Sequence, residues 1–378
     1  MVTGAPKDLC HLALAAGALL ALACGHTEPF SPPPYGTNQP FDPTPPVRLT
    51  LNTAADRGAS WLPDGTGILY SAQQLGRADA DVCLAELPPG GGSQRRLVCD
   101  PSPADQGLTN AFESPVAAPD GQLAFVAARS TVGGANPSSL AITVAPGLDA
   151  ANAAIVQRVP YTLPGETTPS GVTQLRWQSE GRLVYLAQLS TIRQVCGACA
   201  LDTIDTGLKV ALLDLATAGT PPVALAGTDF ASGVSPGSSS DELYFTVNGD
   251  TRVFRRVLSS GEQSVAHDFG AAGVARDVHV AGGRLTAIVG GRVHVVQDPT
   301  LGEIQWDSGG IIHVVDLASD ADVTLAADLR LFRRAVLSPT GDRVVAEGYP
   351  VTIRASNEPG LADTTVGRAG DLYLFSTP

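Results

Sequence analysis

The sequence predicts an all-β protein: a six-bladed β-propeller with four strands in each blade. The first observation behind this prediction is composition, since the 378 residues include 41 glycines and 29 prolines while only 16% are charged. Such a composition is typical of many short strands joined by tight turns. The second observation is a turn motif that recurs in six units, mostly at a spacing of 56 to 60 residues, which is enough for four strands and their loops.

The recurring motif places a short strand before a tight turn and an alternating apolar strand after it. In the best copies the turn is Pro-Asp-Gly, where proline presets φ, aspartate caps the turn and glycine accepts a positive φ. The six turns lie at Pro63–Gly65, Pro119–Gly121, Ser179–Gly181, Pro236–Gly237, Gly282–Gly283 and Pro339–Gly341. In the third unit the pattern predicts all four strands of a blade, at Val172–Gln178, Arg182–Leu189, Leu208–Leu215 and Pro222–Leu225.

The last blade is predicted to contain both ends of the domain. The final unit stops after its third strand, Asp371–Ser376, and residues 47–52 at the start resemble the fourth strands of other units. Pairing of these two segments completes the blade and removes an exposed sheet edge. In this prediction the propeller spans residues 47–378 and is closed by its N-terminal strand.

Residues 1–23 are predicted to be a signal peptide of the lipoprotein type. They contain an apolar run from Leu9 to Ala23, which is too short to span a bilayer and suits an export signal. Cys24 follows as in a bacterial lipobox, where the cysteine sulfur receives a diacylglyceryl group, although Ala21 stands where the motif prefers leucine. The alternative is an ordinary cleaved signal peptide with Cys24 as a free thiol.

Residues 24–46 are predicted to be a proline-rich tether, because this composition prefers an extended chain and forms no packed core. Membrane attachment is expected through the N-terminal lipid alone. Gly25 stands where an aspartate would favour the inner membrane. The expected location is therefore the cell envelope, at the periplasmic face of the outer membrane or at the cell surface.

The four cysteines after Cys24 are predicted to form disulfides, as is usual in exported proteins. Cys83 and Cys99 flank a turn rich in proline and glycine, and a disulfide between them would join neighbouring strands. Cys196 and Cys199 form a CxxC between two β-like runs, where we expect a loop-closing disulfide. The alternative for the CxxC is a redox dithiol, which needs a helix N-terminus to stabilise its thiolate.

Charge and motifs argue against several functions. A net charge of −13 disfavours nucleic acid, which requires a basic face. Gly233–Gly237 matches the G-x-S-x-G pattern of hydrolases, but Pro236 has no N–H to bind an oxyanion and no helix is predicted after it. We therefore expect no catalytic serine at Ser235, and we expect no cofactor.

Two groups of residues are candidates for metal binding, but we expect the histidines to be half-buried polar residues of a sheet face and the acids to lie in solvated turns. Three histidines in the fifth unit could hold a metal, but alternation with valine or isoleucine typically places a histidine half-buried on a sheet face. Each pair of acids offers two carboxylates, whereas calcium needs six or more oxygens. The residues are His279, His294 and His313, with the acids Asp79, Asp81, Asp320 and Asp322.

The central channel is the expected site of function, since the first strand of each blade lines it. When the units are aligned on their turns, two adjacent positions upstream of the turn hold charged residues where a blade core would be apolar. In this alignment Arg276 occupies the same position as Gly58 and Arg334. The alternative is that these side chains pair with one another and only hydrate the channel. The candidates for contact with an anion, a peptide or a protein partner are Arg57, Glu113, Gln174, Arg276, Asp277, Arg333 and Arg334.

The Ser-Pro-Asp-Gly-like turns over about residues 48–378 resemble those of the TolB-like, WD-repeat-like propeller family. This resemblance implies a periplasmic protein that acts within envelope complexes. We expect a non-catalytic, envelope-tethered propeller that binds a protein or peptide partner on its ring face or channel mouth. The alternative is a propeller enzyme or small-molecule binder, such as a metal-assisted lyase or lactonase, that uses the channel mouth.

Overall fold

A computed structural model describes residues 46–51, 55–73, 82–99, 108–131, 139–149, 152–159, 171–194, 201–216, 221–290, 293–298, 302–307, 310–325, 330–355, 362–366 and 370–378. Over these residues the chain forms 27 strands and one short 3₁₀ helix, Gly270–Ala272. This part of the chain has no helix that is both long and apolar enough to cross a membrane. The predicted all-β class is confirmed.

The strands follow one another mostly as antiparallel hairpins. In chain order they are β1 (Val47–Arg48), β2 (Asp56–Trp61), β3 (Ile68–Gln73), β4 (Val82–Leu87), β5 (Arg95–Val98), β6 (Leu108–Ala117), β7 (Leu123–Thr131), β8 (Ser139–Ala145), β9 (Ala154–Val159), β10 (Val172–Ser179), β11 (Arg182–Gln194), β12 (Leu201–Asp214), β13 (Val223–Ala224), β14 (Ala231–Pro236), β15 (Glu242–Val247), β16 (Arg252–Val257), β17 (Gln263–Asp268), β18 (Ala275–Ala281), β19 (Arg284–Val289), β20 (Val293–Asp298), β21 (Gly302–Asp307), β22 (Ile311–Asp316), β23 (Asp322–Thr324), β24 (Arg330–Leu337), β25 (Arg343–Ala355), β26 (Ala362–Val366) and β27 (Asp371–Ser376).

The described strands pair into six antiparallel units of four. Four units are continuous in sequence: β2 to β5, β6 to β9, β10 to β13 and β14 to β17. The fifth has the order β18-β19-β22-β23, with β20 and β21 as a separate hairpin, and the sixth has the order β24-β25-β27-β1. β26 pairs with the extended end of β25, and one parallel pair, Val82 with Ala111, links the first unit to the second.

The first strand of each unit, here called the inner strand, packs against the inner strand of the next unit, and the sixth packs against the first. The ring therefore closes, as a propeller requires. Apolar clusters fill the space between neighbouring units: one joins Leu69 to Leu123 and Phe125, and another joins Tyr70 to Val336. Burying one such large side chain contributes about 1.5–3 kcal/mol, so the core stabilises the ring by holding adjacent units together.

The sixth unit contains both ends of the domain, as predicted. Val47 pairs with Leu374, and Arg48 pairs with Tyr373. Arg48 Nη2 also lies 2.6 Å from Oδ2 of Asp371, a buried carboxylate at the start of β27. The N-terminal strand therefore covers the edge of β27 and neutralises a charge there.

Two strands of the third unit are longer than the sequence pattern predicted. β11 extends to Gln194 rather than Leu189, and β12 begins at Leu201 rather than Leu208. The added segments are rich in threonine, which favours strands, and they continue the same antiparallel ladder beyond the blade.

Every inner strand contains a register shift before its last residues. Such bulges re-aim side chains. In five of the six, a residue at the shift has φ between +50° and +68°, a left-handed conformation that costs a non-glycine residue about 1–2 kcal/mol. These residues are Gly58, Ser114, Gln174, Asp277 and Arg334.

Candidate functional site: the central channel

Polar side chains from the third, fifth and sixth units meet in the middle of the channel. We call Thr173, Gln174, Asp277, Arg334 and Glu347 the central plug. Gln174 Nε2 donates to Asp277 Oδ1 at 2.7 Å, and Arg334 Nη2 donates to Thr173 Oγ1 at 2.6 Å. These bonds join inner strands that are not neighbours, so they cross the ring. The plug separates a strand mouth, where the inner strands begin, from a turn mouth, where they enter the turns.

Glu347, on β25, connects the plug to the first unit. Its Oε1 accepts from the Gly58 N–H at 2.6 Å and its Oε2 accepts from the Tyr349 hydroxyl at 3.1 Å. Burial raises the pKa of Glu347, although Arg334 opposes this shift, and burial likewise raises the pKa of Asp277. Burial alone lowers the pKa of Arg334, but Glu347 and Asp277, together with Glu113 and Tyr349, outweigh it and the net shift is upward. The plug is therefore a cluster of mutually compensating charges in which Glu347 is buried and Arg334 is partly exposed.

The strand mouth carries most of the positive charge that faces solvent in the channel. Arg57 and Glu113 form an ion pair between the first and second units. The Arg333 guanidinium lies 5.3 Å from the centroid of the Tyr349 ring. Arg276 Nη2 donates to a backbone carbonyl at 2.6 Å, and burial lowers its pKa while the neighbouring carboxylate in the plug opposes that shift.

A cavity of 460 Å³ opens at this mouth, bordered by Phe230 and Arg276. Phe230 is 46% exposed and has a φ of +59°, a conformation that bulky residues rarely adopt. Its ring lies against Gly207, where an added Cβ would be 3.1 Å from the ring. The fold thus holds an exposed aromatic ring beside a guanidinium.

The turn mouth is a cavity of 390 Å³ to which all six inner strands contribute. Its walls are mostly apolar and include Trp61 and Trp177, each with its indole N–H bonded to a backbone carbonyl at 3.0 Å. The residues described as lining it include one arginine, Arg176, and no aspartate or glutamate. One aligned position of each inner strand borders it: Ser60, Val116, Arg176, Ser235, His279 and Val336.

The seven predicted channel residues all lie on inner strands, but in two layers. Gln174, Asp277 and Arg334 belong to the plug, where they bind one another. This pairing is the alternative that the sequence left open. The other four lie at the strand mouth: Arg57, Glu113, Arg276 and Arg333. Contact between any of the seven and a partner stays a prediction.

The alignment of the units by sequence was wrong by one residue in the fifth unit, where it matched Arg276 with Gly58 and Arg334. Asp277, not Arg276, has the left-handed conformation of Gly58 and Arg334. The reason is the fifth turn, a two-residue Gly282–Gly283 hairpin that is shorter than the Pro-Asp-Gly turns. Counting back a fixed number of residues from this shorter turn therefore reaches Arg276 instead of Asp277.

Sequence reasoning missed Arg176, Glu347 and the channel position of His279. Arg176 and His279 lie past the bulge, level with Ser60, in a register that the alignment did not include. Glu347 lies on a second strand and is joined to an inner strand through the Gly58 N–H, which donates to its Oε1. The signal for it in the sequence was a charged residue directly after the apolar run Val344–Ala346.

Ser235 does not form a hydrolase nucleophile elbow. Its Oγ accepts from the Val280 N–H at 2.9 Å and donates to the Pro236 carbonyl at 3.0 Å. The strand β15 follows the turn where the hydrolase motif needs a helix. Ser235 therefore joins the fourth unit to the fifth.

The predicted disulfide between Cys83 and Cys99 is confirmed. His313 Nδ1 lies 2.9 Å from Asp322, and His267 Nδ1 lies 2.6 Å from Asp320, so these acids have histidine partners. Within the described part of the chain, no group of three His, Cys, Asp or Glu residues has the geometry to hold a metal. The predictions that lie outside the described residues concern Cys24, Cys196, Cys199, Asp79, Asp81 and the side chain of His294.

No family model and no curated protein matches the chain. Among solved structures it is similar to a gluconolactonase from Xanthomonas campestris, at 15% identity and a TM-score of 0.50, over 89% of this chain and 96% of that one. It is also similar to TolB from Acinetobacter baumannii (13%, TM-score 0.46, 83% of this chain) and spans 64% of that protein's length. A putative TolB from Agrobacterium tumefaciens gives 12%, 0.46, 86% and 91%. At these identities the likeness concerns the fold alone.

Proposed function

We propose that this chain is a non-catalytic propeller, tethered in the cell envelope by a lipid on Cys24, that binds a protein or peptide partner at the strand mouth. The observation that carries the proposal is the strand mouth itself, where the exposed ring of Phe230 and the guanidinium of Arg276 border one cavity. Aromatic and arginine side chains dominate the binding energy of protein interfaces. Phe230 is such an anchor, already held in place before any partner arrives.

Charge supports an acidic partner segment at this mouth. The whole chain has a net charge of −13, yet the side chains of the strand mouth and plug carry more positive than negative groups. A local positive potential in an acidic protein attracts carboxylates and orients their approach. The arginines are Arg57, Arg276, Arg333 and Arg334, against the carboxylates Glu113, Asp277 and Glu347.

The backbone of Phe230 also favours a binding role. A left-handed phenylalanine costs about 1–2 kcal/mol, and the ring, which is 46% exposed, gains only part of the burial energy of a core phenylalanine. Strain of this kind persists where the surrounding structure over-determines it and concentrates at binding sites. Burial of the ring by a partner would supply the missing stabilisation.

Cross-linking and pull-down from intact cells test the proposal. Phe230→Ala and Arg333→Ala should each lose partners that the wild type captures. Arg252→Ala is the matched control, because Arg252, at the start of β16, is 44% exposed and pairs with Asp250 just before that strand. Arg334 is unsuitable as a target, because its removal would disturb the plug. An identical partner set for Phe230→Ala, Arg333→Ala and wild type would contradict the assignment of this mouth.

Metal analysis of the purified chain separates the proposal from the alternative of a metal-assisted lyase or lactonase. Stoichiometric metal that survives purification, together with turnover of a lactone or an acidic sugar polymer, would favour the enzyme. Capture of an envelope protein by the wild type and not by Phe230→Ala would favour the binding function.

A further inference from the structure

We propose that the turn mouth is a second and separate binding site, which takes one carboxylate group attached to an apolar body. The site lies on the other side of the central plug from the strand mouth. It is therefore independent of the proposed partner site, and one can fail without the other.

The cavity has the form of a small-ligand site. Its 390 Å³ fall within the range of about 300–1,000 Å³ that is typical of such sites. Tryptophan, valine, leucine and proline side chains from all six units form most of the wall, and two polar side chains, Arg176 and His279, are also among its borders. An apolar pocket with a few fixed polar groups selects ligands that match both.

Arg176 is a buried cation that lacks a direct anionic partner among the described residues. It is 9% exposed, and its Nη1 donates to the Leu175 carbonyl at 3.0 Å. Its Nε is buried without a hydrogen-bond partner in the described structure. Burial, followed by the nearby charge of Arg334, lowers the pKa of Arg176 to about 10. Asp277 and Glu347 offset this desolvation cost only in part, so an anion in the cavity would relieve the remainder.

The unit that follows Arg176 explains why an arginine can occupy this position. At the same position in the next two units, Ser235 accepts from the Val280 N–H and His279 Nδ1 accepts from the Leu337 N–H at 3.2 Å. These bonds join each unit to the one after it. The residue that corresponds to Val280 after the third unit is Pro236, which has no N–H to donate. Arg176 is thus released from the structural role of its equivalents.

His279 offers a neutral second donor. Because the Leu337 N–H donates to Nδ1, the ring proton is on Nε2. Burial, with Arg176 as a lesser cause, holds the pKa of His279 well below its ordinary value, so the ring stays uncharged. No hydrogen bond from Nε2 to a described residue is present. One guanidinium and one imidazole N–H suit a monoanionic carboxylate better than a phosphate dianion, which draws more cationic groups.

The test uses the purified full chain and two matched pairs of probes. The first pair is 3-phenylpropionate and 3-phenylpropanamide. The second pair is an acetylated Ala-Phe dipeptide with a free or an amidated C-terminus. Trp61 and Trp177 border the cavity and are two of the three tryptophans, so intrinsic fluorescence reports binding and calorimetry gives the affinity. Each acid should bind about tenfold or more tightly than its amide, as expected for hydrogen bonds to a charged group.

Arg176→Met should abolish the preference for the acid while leaving the melting temperature unchanged or higher, because desolvation is the largest influence on this buried cation and an apolar side chain does not carry that cost. Arg182→Met, a change at a solvent-exposed arginine that pairs with Asp214, should leave the preference intact. Equal binding of acid and amide by the wild type, no binding of either acid, or an unchanged preference in Arg176→Met would overturn the proposal. If Arg176→Met does not fold, His279→Asn takes its place and should reduce the preference.

The two acids distinguish the natural sources of the carboxylate. Tighter binding of the dipeptide points to the C-terminus of a peptide or protein. Tighter binding of 3-phenylpropionate points to a free organic acid. Either outcome supports the carboxylate site, provided that the matched amide binds weakly.

Discussion

Replacing Glu347 by leucine should cost about 3–5 kcal/mol of unfolding free energy, the range expected when one member of a buried ion pair is removed. The carboxylate accepts from the Gly58 N–H at 2.6 Å and from the Tyr349 hydroxyl at 3.1 Å, and leucine leaves both donors without this acceptor. It also leaves Arg334 with Asp277 as its remaining plug carboxylate. The raised pKa of Glu347 shows that burial outweighs Arg334, so the cluster is costly as a whole, but losing one member costs more.

Urea unfolding of the purified chain measures this loss. The matched control is Glu113→Leu, because Glu113 likewise pairs with an arginine, Arg57, but its side chain is 36% exposed. That variant should lose less than about 1 kcal/mol. Glu347→Gln keeps an acceptor without the charge and should fall between the two. Equal losses in Glu347→Leu and Glu113→Leu would refute the reasoning that burial sets the cost.

Three further predictions concern stability. Burial holds the pKa of His279 well below 6.5, so its contribution to the free energy of unfolding is present above the unfolded pKa and is lost as the pH falls toward the folded pKa. Below about pH 6.5 the free energy of unfolding, measured with denaturant, should therefore fall more in the wild type than in His279→Asn. Parallel pH profiles of the two proteins would contradict this. Replacing Cys83 and Cys99 by alanine removes a disulfide between residues 16 positions apart and should lower the free energy of unfolding by about 3 kcal/mol in the same assay. A reduced wild type that is as stable as the oxidised one would contradict this. Deleting residues 47–52 exposes the edge of β27 and leaves Asp371 buried without Arg48, so the melting temperature should fall and aggregation should rise; an unchanged melting temperature would show that the ring closes in another way.

The fold was predictable because its determinants are local. A Pro-Asp-Gly turn such as Pro63–Gly65 predicts both the strand before it and the strand after it, and the repetition of the turn predicts the ring of units. Closure was predictable because residues 47–52 have the pattern of a missing fourth strand. The extension of β11 to Gln194 was missed, since a polar threonine-rich ladder has no apolar alternation to mark where a blade ends.

The site was only partly predictable because it depends on contacts between distant units. Polar residues on inner strands pointed to the channel, but the sequence does not show which of them meet across the axis. Gln174 and Asp277 are 103 positions apart and bind each other. The role of Arg176 depends on Pro236 in the next unit, and that relation is visible only when the units are superposed in space.

The seam in the sixth unit also determines how the ring responds to mechanical load. Any pull on the chain before Pro46 acts first on β1, which has two residues and pairs with β27 through Val47 and Arg48. Neighbouring units, including the sixth and the first, are joined by apolar contacts that such a pull does not reach directly. Under tension β1 would therefore separate from β27 first and expose that edge, while the other five units keep their strands.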